Sequence, residues 1–139
     1  MKRQLRKNYD KQLESPMMSN EFILDGAKAF LQRLEHLHLE LIARDAAYTV
    51  AKKSKQSADM EHYHNLAREV SQKCLDYGRE LCESPVPQWV DGNLSKENTE
   101  ITRHAYSVIR RKICASFKVF EHDLIPCAKI LIDFAEGRH

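Results

Sequence analysis

The stretch NEFILDGAKAFLQRLEHLHLELIARDAAYTVA, residues 20–51, decides the fold class. Along it Ile23, Ala27, Phe30, Leu34, Leu37, Leu41 and Tyr48 recur at intervals of three, four and seven, the spacing of one face of an α-helix. Two starts are on offer. Ser15-Pro16 supplies a serine cap with proline in the first turn, and Ser19-Asn20 supplies a cap followed by the acidic Glu21. The pattern dissolves after Val50 and Ala51 in Lys52-Lys53-Ser54-Lys55, whose cations suit the negative end of a helix. Gly26 is its soft spot, at a cost of about 1 kcal/mol relative to alanine.

This helix is more apolar than one buried stripe requires. Phe22 and Leu39 project away from the main face, while Leu24, Leu31 and Ile42 widen one flank. Apolar residues spread so far around a helix point to a central place in a bundle or to burial against a partner. Those five residues, with Trp89, form the expected interface.

Working outward, a second helix is predicted to start at Ser57 and to stop before Pro85, with Met60, Tyr63, Ala67, Val70, Cys74, Tyr77 and Leu81 as its apolar stripe. Residues 84–93, Ser-Pro-Val-Pro-Gln-Trp-Val-Asp-Gly-Asn, read as the one substantial loop. Trp89, the single tryptophan, is expected to plug one end of the bundle. A third helix opens after the cap Ser95. Its face comprises Ile101, Ala105, Val108, Ile109, Lys112, Ser116, Val119 and Phe120, and Pro126 ends or kinks it. A short last helix from Pro126 to Ala135 carries Ile130, Leu131 and Phe134, and Gly137 closes it. The expected fold is all-α: an antiparallel bundle of three long helices plus a short C-terminal fourth. Residues 1–14 form a basic N-terminal segment and 15–139 a single domain.

Charge is unevenly placed. Lys2, Arg3, Arg6, Lys7 and Lys11 against Asp10 leave the first eleven residues at +4, and with +2 overall the rest of the chain stands at −2. Arg103, Arg110, Arg111 and Lys118 are spaced to share one sector of the third helix. Together with Lys2, Arg3, Arg6 and Lys7 they make a patch that could neutralise phosphates. No aromatic residue is interleaved with them, so base stacking gains no support.

Chemistry is sparsely encoded. Glu35 with His38 and Glu61 with His64 repeat the Glu-x-x-His spacing that resembles di-iron carboxylate bundles, although here the two units fall on consecutive helices. Arg33 and His38 have the Arg-x4-His spacing that resembles the ribonuclease motif of HEPN domains. That resemblance covers six residues midway along a helix, with Glu40 where the family commonly has tyrosine. Cys74, Cys82, Cys114 and Cys127 include no CxxC pair and read as free thiols, Cys114 among the cations of the third helix. No phosphate-binding glycine loop or serine-nucleophile motif is present. No apolar run is long enough to span a bilayer, and the N-terminus lacks a signal peptide's apolar stretch, so a cytoplasmic protein is expected.

The expectation is therefore a non-catalytic helical module that binds another protein, with no cofactor and no metal, as a regulator, adaptor or inhibitor. A homodimer is one form of this. Nucleic-acid binding through the basic face is the first alternative, and a HEPN-like ribonuclease or metal-binding bundle the second.

Overall fold

The computed structural model describes residues 18–137. The basic segment and its residues Lys2, Arg3, Arg6 and Lys7 lie outside them. The described residues are helical with no strand, and no helix among them is long and apolar enough to cross a membrane.

Helix α1 spans Asn20–Ser54. Of the two starts, Ser19 is the cap, its Oγ accepting the Phe22 amide at 3.0 Å. Ile23, Ala27, Phe30, Leu34, Leu37 and Leu41 of the expected stripe are buried, and Tyr48 is exposed. The helix ends at Lys55, which lies in the left-handed region (φ 58°) while its amide donates to the Ala51 carbonyl. This is a C-terminal geometry usually given to glycine.

Helix α2 spans Ser57–Glu83 and folds back along α1. Arg33 meets Glu80, Glu40 meets Lys73 and Tyr48 meets Tyr63, one number falling as the other rises, so the pair is antiparallel. Val70, Cys74, Tyr77 and Leu81 enter the core. Met60, by contrast, is exposed. The expected loop holds a single-turn helix, α3, Gln88–Asp91, with Val90 buried.

Helix α4 spans Lys96–Lys112, capped by Ser95. Its buried face is Thr102, Ala105, Tyr106 and Ile109, so the expected stripe is rotated: Ile101 is exposed and Tyr106 takes the core position. The helix also stops early. Residues 113–116 leave helical geometry, and a new helical run opens at Phe117 with Ser116 as cap. Two contacts fix this break. The Arg44 guanidinium donates to the Ala115 carbonyl at 3.0 Å. The Ile113 side chain closes on Gly78, where a Cβ would come within 3.0 Å of it.

The last run consists of α5, Phe117–Val119, a π-helical turn, Phe120–Leu124, and α6, Ile125–Ala135. Pro126 lies in the first turn of α6, next to the expected start of the last helix. The wide turn just before it, in which the Ile125 amide reaches back to the Phe120 carbonyl, makes room for the proline ring. The last helix thus occupies the expected residues, while the break at 113–116 is an additional one that divides the expected third helix. Phe120, Leu124, Ala128 and Leu131 of this run join the α1–α2 core, with α1 in contact with both α2 and α6.

Candidate functional site

One corner of the molecule is built from four aromatic residues. Phe30 lies 5.6 Å from Trp89, 5.4 Å from Tyr106 and 6.4 Å from Tyr77, ring centre to ring centre. Trp89 stands edge-on to Tyr106 at 6.3 Å. The indole is seated over Gly26, where no side chain intervenes. Trp89 is thus half-buried, covering the α1–α4 seam as a plug, and only part of its ring is available to a partner. On the outer side Arg33 lies over the Tyr77 ring, 3.9 Å from its centre, and its two terminal nitrogens donate to the Glu80 carboxylate at 3.2 and 3.3 Å. Burial pushes the Tyr77 and Tyr106 hydroxyl pKa values up, with Arg33 and Arg110 respectively opposing the shift.

The residues expected at an interface fall into two groups. Leu39 (60% exposed) and Ile42 (42%) face outward on α1, with Leu24 and Leu31 half-buried along the same flank. Phe22 is 50% exposed. At the helical 100° per residue it points roughly 100° away from Leu39, so the two do not form one patch.

The basic face is less free than its spacing implied. Arg103 is held by Asp91 through two hydrogen bonds of 2.7 and 2.6 Å. Arg110 lies 6.0 Å from the centre of the Tyr106 ring. Arg111 is exposed. Lys118 sits in α5, beyond the break at 113–116, and so is not on the same helix as the three arginines. Cys114 likewise falls in the connection, exposed, rather than on α4.

Arg33 and His38 are not brought together. Arg33 is engaged on α2, whereas His38 packs on the C-terminal run, 5.0 Å from the Phe117 ring and stacked 6.2 Å from Phe120. Its Nε2 is buried without a hydrogen-bond partner. Glu35, Glu61 and His64 are all exposed. Among the described residues no group of three or more His, Cys, Asp or Glu side chains is placed to hold a metal ion. A cavity of about 670 Å³ lies at the Asn20 end of α1 between Ile23, Trp89, Leu94, Leu131 and Phe134, beside the last described residue, Gly137.

No protein family, curated protein or solved structure matches this chain.

Sequence reasoning missed Tyr106. A phase error of one residue hid it, since Ile101 is the more apolar choice and Thr102, the residue actually buried, is the less apparent one. The signal available was the pair Tyr106 and Ile109, three apart on the face that Ala105 shares.

Proposed function

We propose that this all-α domain is a non-catalytic protein-binding module that presents the outward flank of α1 to its partner. The observation that carries this reading is the exposure of Leu39 and Ile42, three residues apart on a helix whose opposite face is already filled by α2 and the C-terminal run. Leu24 and Leu31 extend the flank toward the Asn20 end. Large apolar side chains grouped on one surface favour a protein contact over a solvated face. The finer architecture, an antiparallel bundle, is supported by the register of α1 against α2, and it gives the flank a rigid base. A regulator, adaptor or inhibitor acting in the cytoplasm fits these features, with a second copy of the chain as the simplest partner.

The basic face favours the same ordering of functions. Arg103 is already committed to Asp91, and Lys118 lies on a different helix from Arg110 and Arg111.

Size-exclusion chromatography with light scattering tests the reading, with absorbance followed at 260 and 280 nm. A dimer free of nucleic acid that becomes monomeric in Leu39→Glu/Ile42→Glu, with helicity unchanged, is the expected result. A monomer in both proteins, with no protein captured by the wild type that the double variant fails to capture, would remove the reading. So would co-eluting nucleic acid lost on Arg110→Glu/Arg111→Glu.

A further inference from the structure

Cys82, Gly78 and Cys74 follow one another at four-residue steps along one face of α2. The end of α4 lies on that face. The Cys82 sulfur is 4.0 Å from the Arg110 carbonyl, and the Ile113 side chain closes on Gly78. One number falls as the other rises, so α4 descends antiparallel to α2 and the next turn of α2 is the one that carries Cys74. Ile113 has extended backbone (φ −59°, ψ 127°), as has Ser116 (φ −122°, ψ 121°). Extended chain advances at about twice the helical rise per residue. Cys114 is the first residue past Ile113, and the Ala115 carbonyl beyond it is held by Arg44. Anchored on both sides, Cys114 is set down beside the turn of Cys74.

The electrostatics agree with this placement. After burial itself, Cys114 is the largest influence on the Cys74 thiol, ahead of Glu40 and Arg44. Such an influence falls with distance, so the two thiols are neighbours. Their exposure is opposite, Cys74 at 1% in the core and Cys114 at the surface. The other cysteines are less well placed for Cys74. Cys82 is about 12 Å along the helix, beyond the reach of a disulfide. Cys127 is on α6, with Asp123 and Lys112 as its charged neighbours. An accessible thiol backed by a second one is the arrangement by which oxidation is registered and then resolved.

We propose that Cys114 is an oxidation site for small hydroperoxides and that Cys74 resolves it, giving a reversible Cys74–Cys114 disulfide that fastens the middle of α2 to the break between α4 and α5. In the first step the Cys114 thiolate attacks the peroxide. An S–O bond forms, the O–O bond breaks and hydroxide leaves, so the sulfur is oxidised to a sulfenic acid as the peroxide is reduced. In the second step the Cys74 sulfur attacks the Cys114 sulfur. The S–S bond forms, the S–O bond breaks, and the departing hydroxide takes the Cys74 proton as water. Rotation about χ1 of Cys114 turns its sulfur inward, and the chain at 113–116, between the ladders of α4 and α5, absorbs the remaining adjustment. A buried thiol attacks slowly, which makes the sulfenic acid an intermediate that can be trapped. This site is independent of the α1 flank and stands whether or not that flank binds a partner.

Treatment of the reduced full-length protein with hydrogen peroxide, with and without dimedone, followed by alkylation and peptide mapping without reduction, tests it. A linked Cys74–Cys114 peptide is expected in monomeric protein, and dithiothreitol should abolish it. Cys74→Ala should carry about tenfold more dimedone on Cys114 than the wild type, because nothing resolves its sulfenic acid. Cys114→Ser should leave Cys74 reduced at peroxide levels that oxidise Cys82. Serine at the exposed position spares the core, and circular dichroism verifies that both variants fold. Equal dimedone on Cys114 in the wild type and Cys74→Ala would overturn the proposal. So would oxidation of Cys74 in folded Cys114→Ser, or a Cys114 linked only to Cys82 or to a second chain.

Discussion

The Trp89 ring occupies the space that a side chain on Gly26 would need. A Cβ built there would come within 2.5 Å of two indole carbons, Cδ1 and Cγ. The glycine that weakens α1 locally is thus what lets the single-turn helix α3 close over the α1–α4 seam.

Gly26→Ala tests this directly. Alanine at an open helical position stabilises by about 1 kcal/mol relative to glycine. Here the ring must move instead, and we expect a net loss of about 1–3 kcal/mol with a shift in Trp89 emission. In a Trp89→Leu background the same change should cost less, or become favourable. Thermal denaturation of the four proteins in this cycle gives the coupling, and an additive result would mean that the indole is not seated on Gly26.

His38 offers the opposite case. Its Nε2 is buried without a partner, between Phe117 and Phe120. An unsatisfied buried nitrogen costs about 1–3 kcal/mol, whereas an apolar replacement carries no such cost. We expect His38→Leu to be neutral or stabilising by about 1 kcal/mol, and His38→Ala to be destabilising through the lost ring contacts. Urea unfolding distinguishes them. A large loss in His38→Leu would mean that the imidazole does more than fill space.

The cysteines should react in a definite order. Cys82 and Cys114 are exposed and should label first with a thiol reagent at pH 8. Cys127 follows, its thiol pushed up by burial and by Asp123. Cys74 comes last: burial, with smaller contributions from Cys114 and Glu40 and against Arg44, moves its pKa from 9.0 to about 11. Peptide mapping of a time course reads the order directly.

The same group bears on alkaline stability. Between pH 9 and 11 the folded protein keeps the Cys74 proton that the unfolded chain releases. The stabilisation is full below pH 9 and disappears as pH rises through 11, for a loss of about 2 kcal/mol. The raised hydroxyls of Tyr77 and Tyr106 act in the same direction above their ordinary value of 10.0. Chemical denaturation at pH 8 and pH 10.5 should show the decline in the wild type and a smaller one in Cys74→Ala.

Lys55 is the one described non-glycine residue with positive φ. Lys55→Gly should relieve that strain and raise stability by about 0.5–1 kcal/mol, measurable as a higher Tm. A decrease would assign the lysine side chain a stabilising contact of its own.

The all-α architecture was legible because α1 and α2 obey local rules: a serine cap on α1, an apolar stripe along each, and a proline-marked stop after α2. The end of α4 was not. Ile113-Cys114-Ala115 contains no residue that breaks a helix, and the chain leaves helical geometry there because Arg44, 71 residues away, holds the Ala115 carbonyl. Pro126 did mark the start of the last helix, but no residue of Phe120–Leu124 announced the wide turn that joins it to the preceding run. The exposure of Leu39 and Ile42 follows from their angular positions, Leu39 away from the main stripe and Ile42 on its flank. The closeness of Cys74 to Cys114 was hidden, because it arises between α2 and the break after α4, which no local pattern aligns.

Only Lys55 and Gln56 separate α1 from α2. Closing so short a connection costs little chain entropy, whereas α1 meets the C-terminal run across most of the sequence. The order of assembly follows: the α1–α2 hairpin forms early, and the run after Ser116 docks onto it late. Amide exchange should accordingly release residues 117–135 first and the middle of α1, which both partners cover, last.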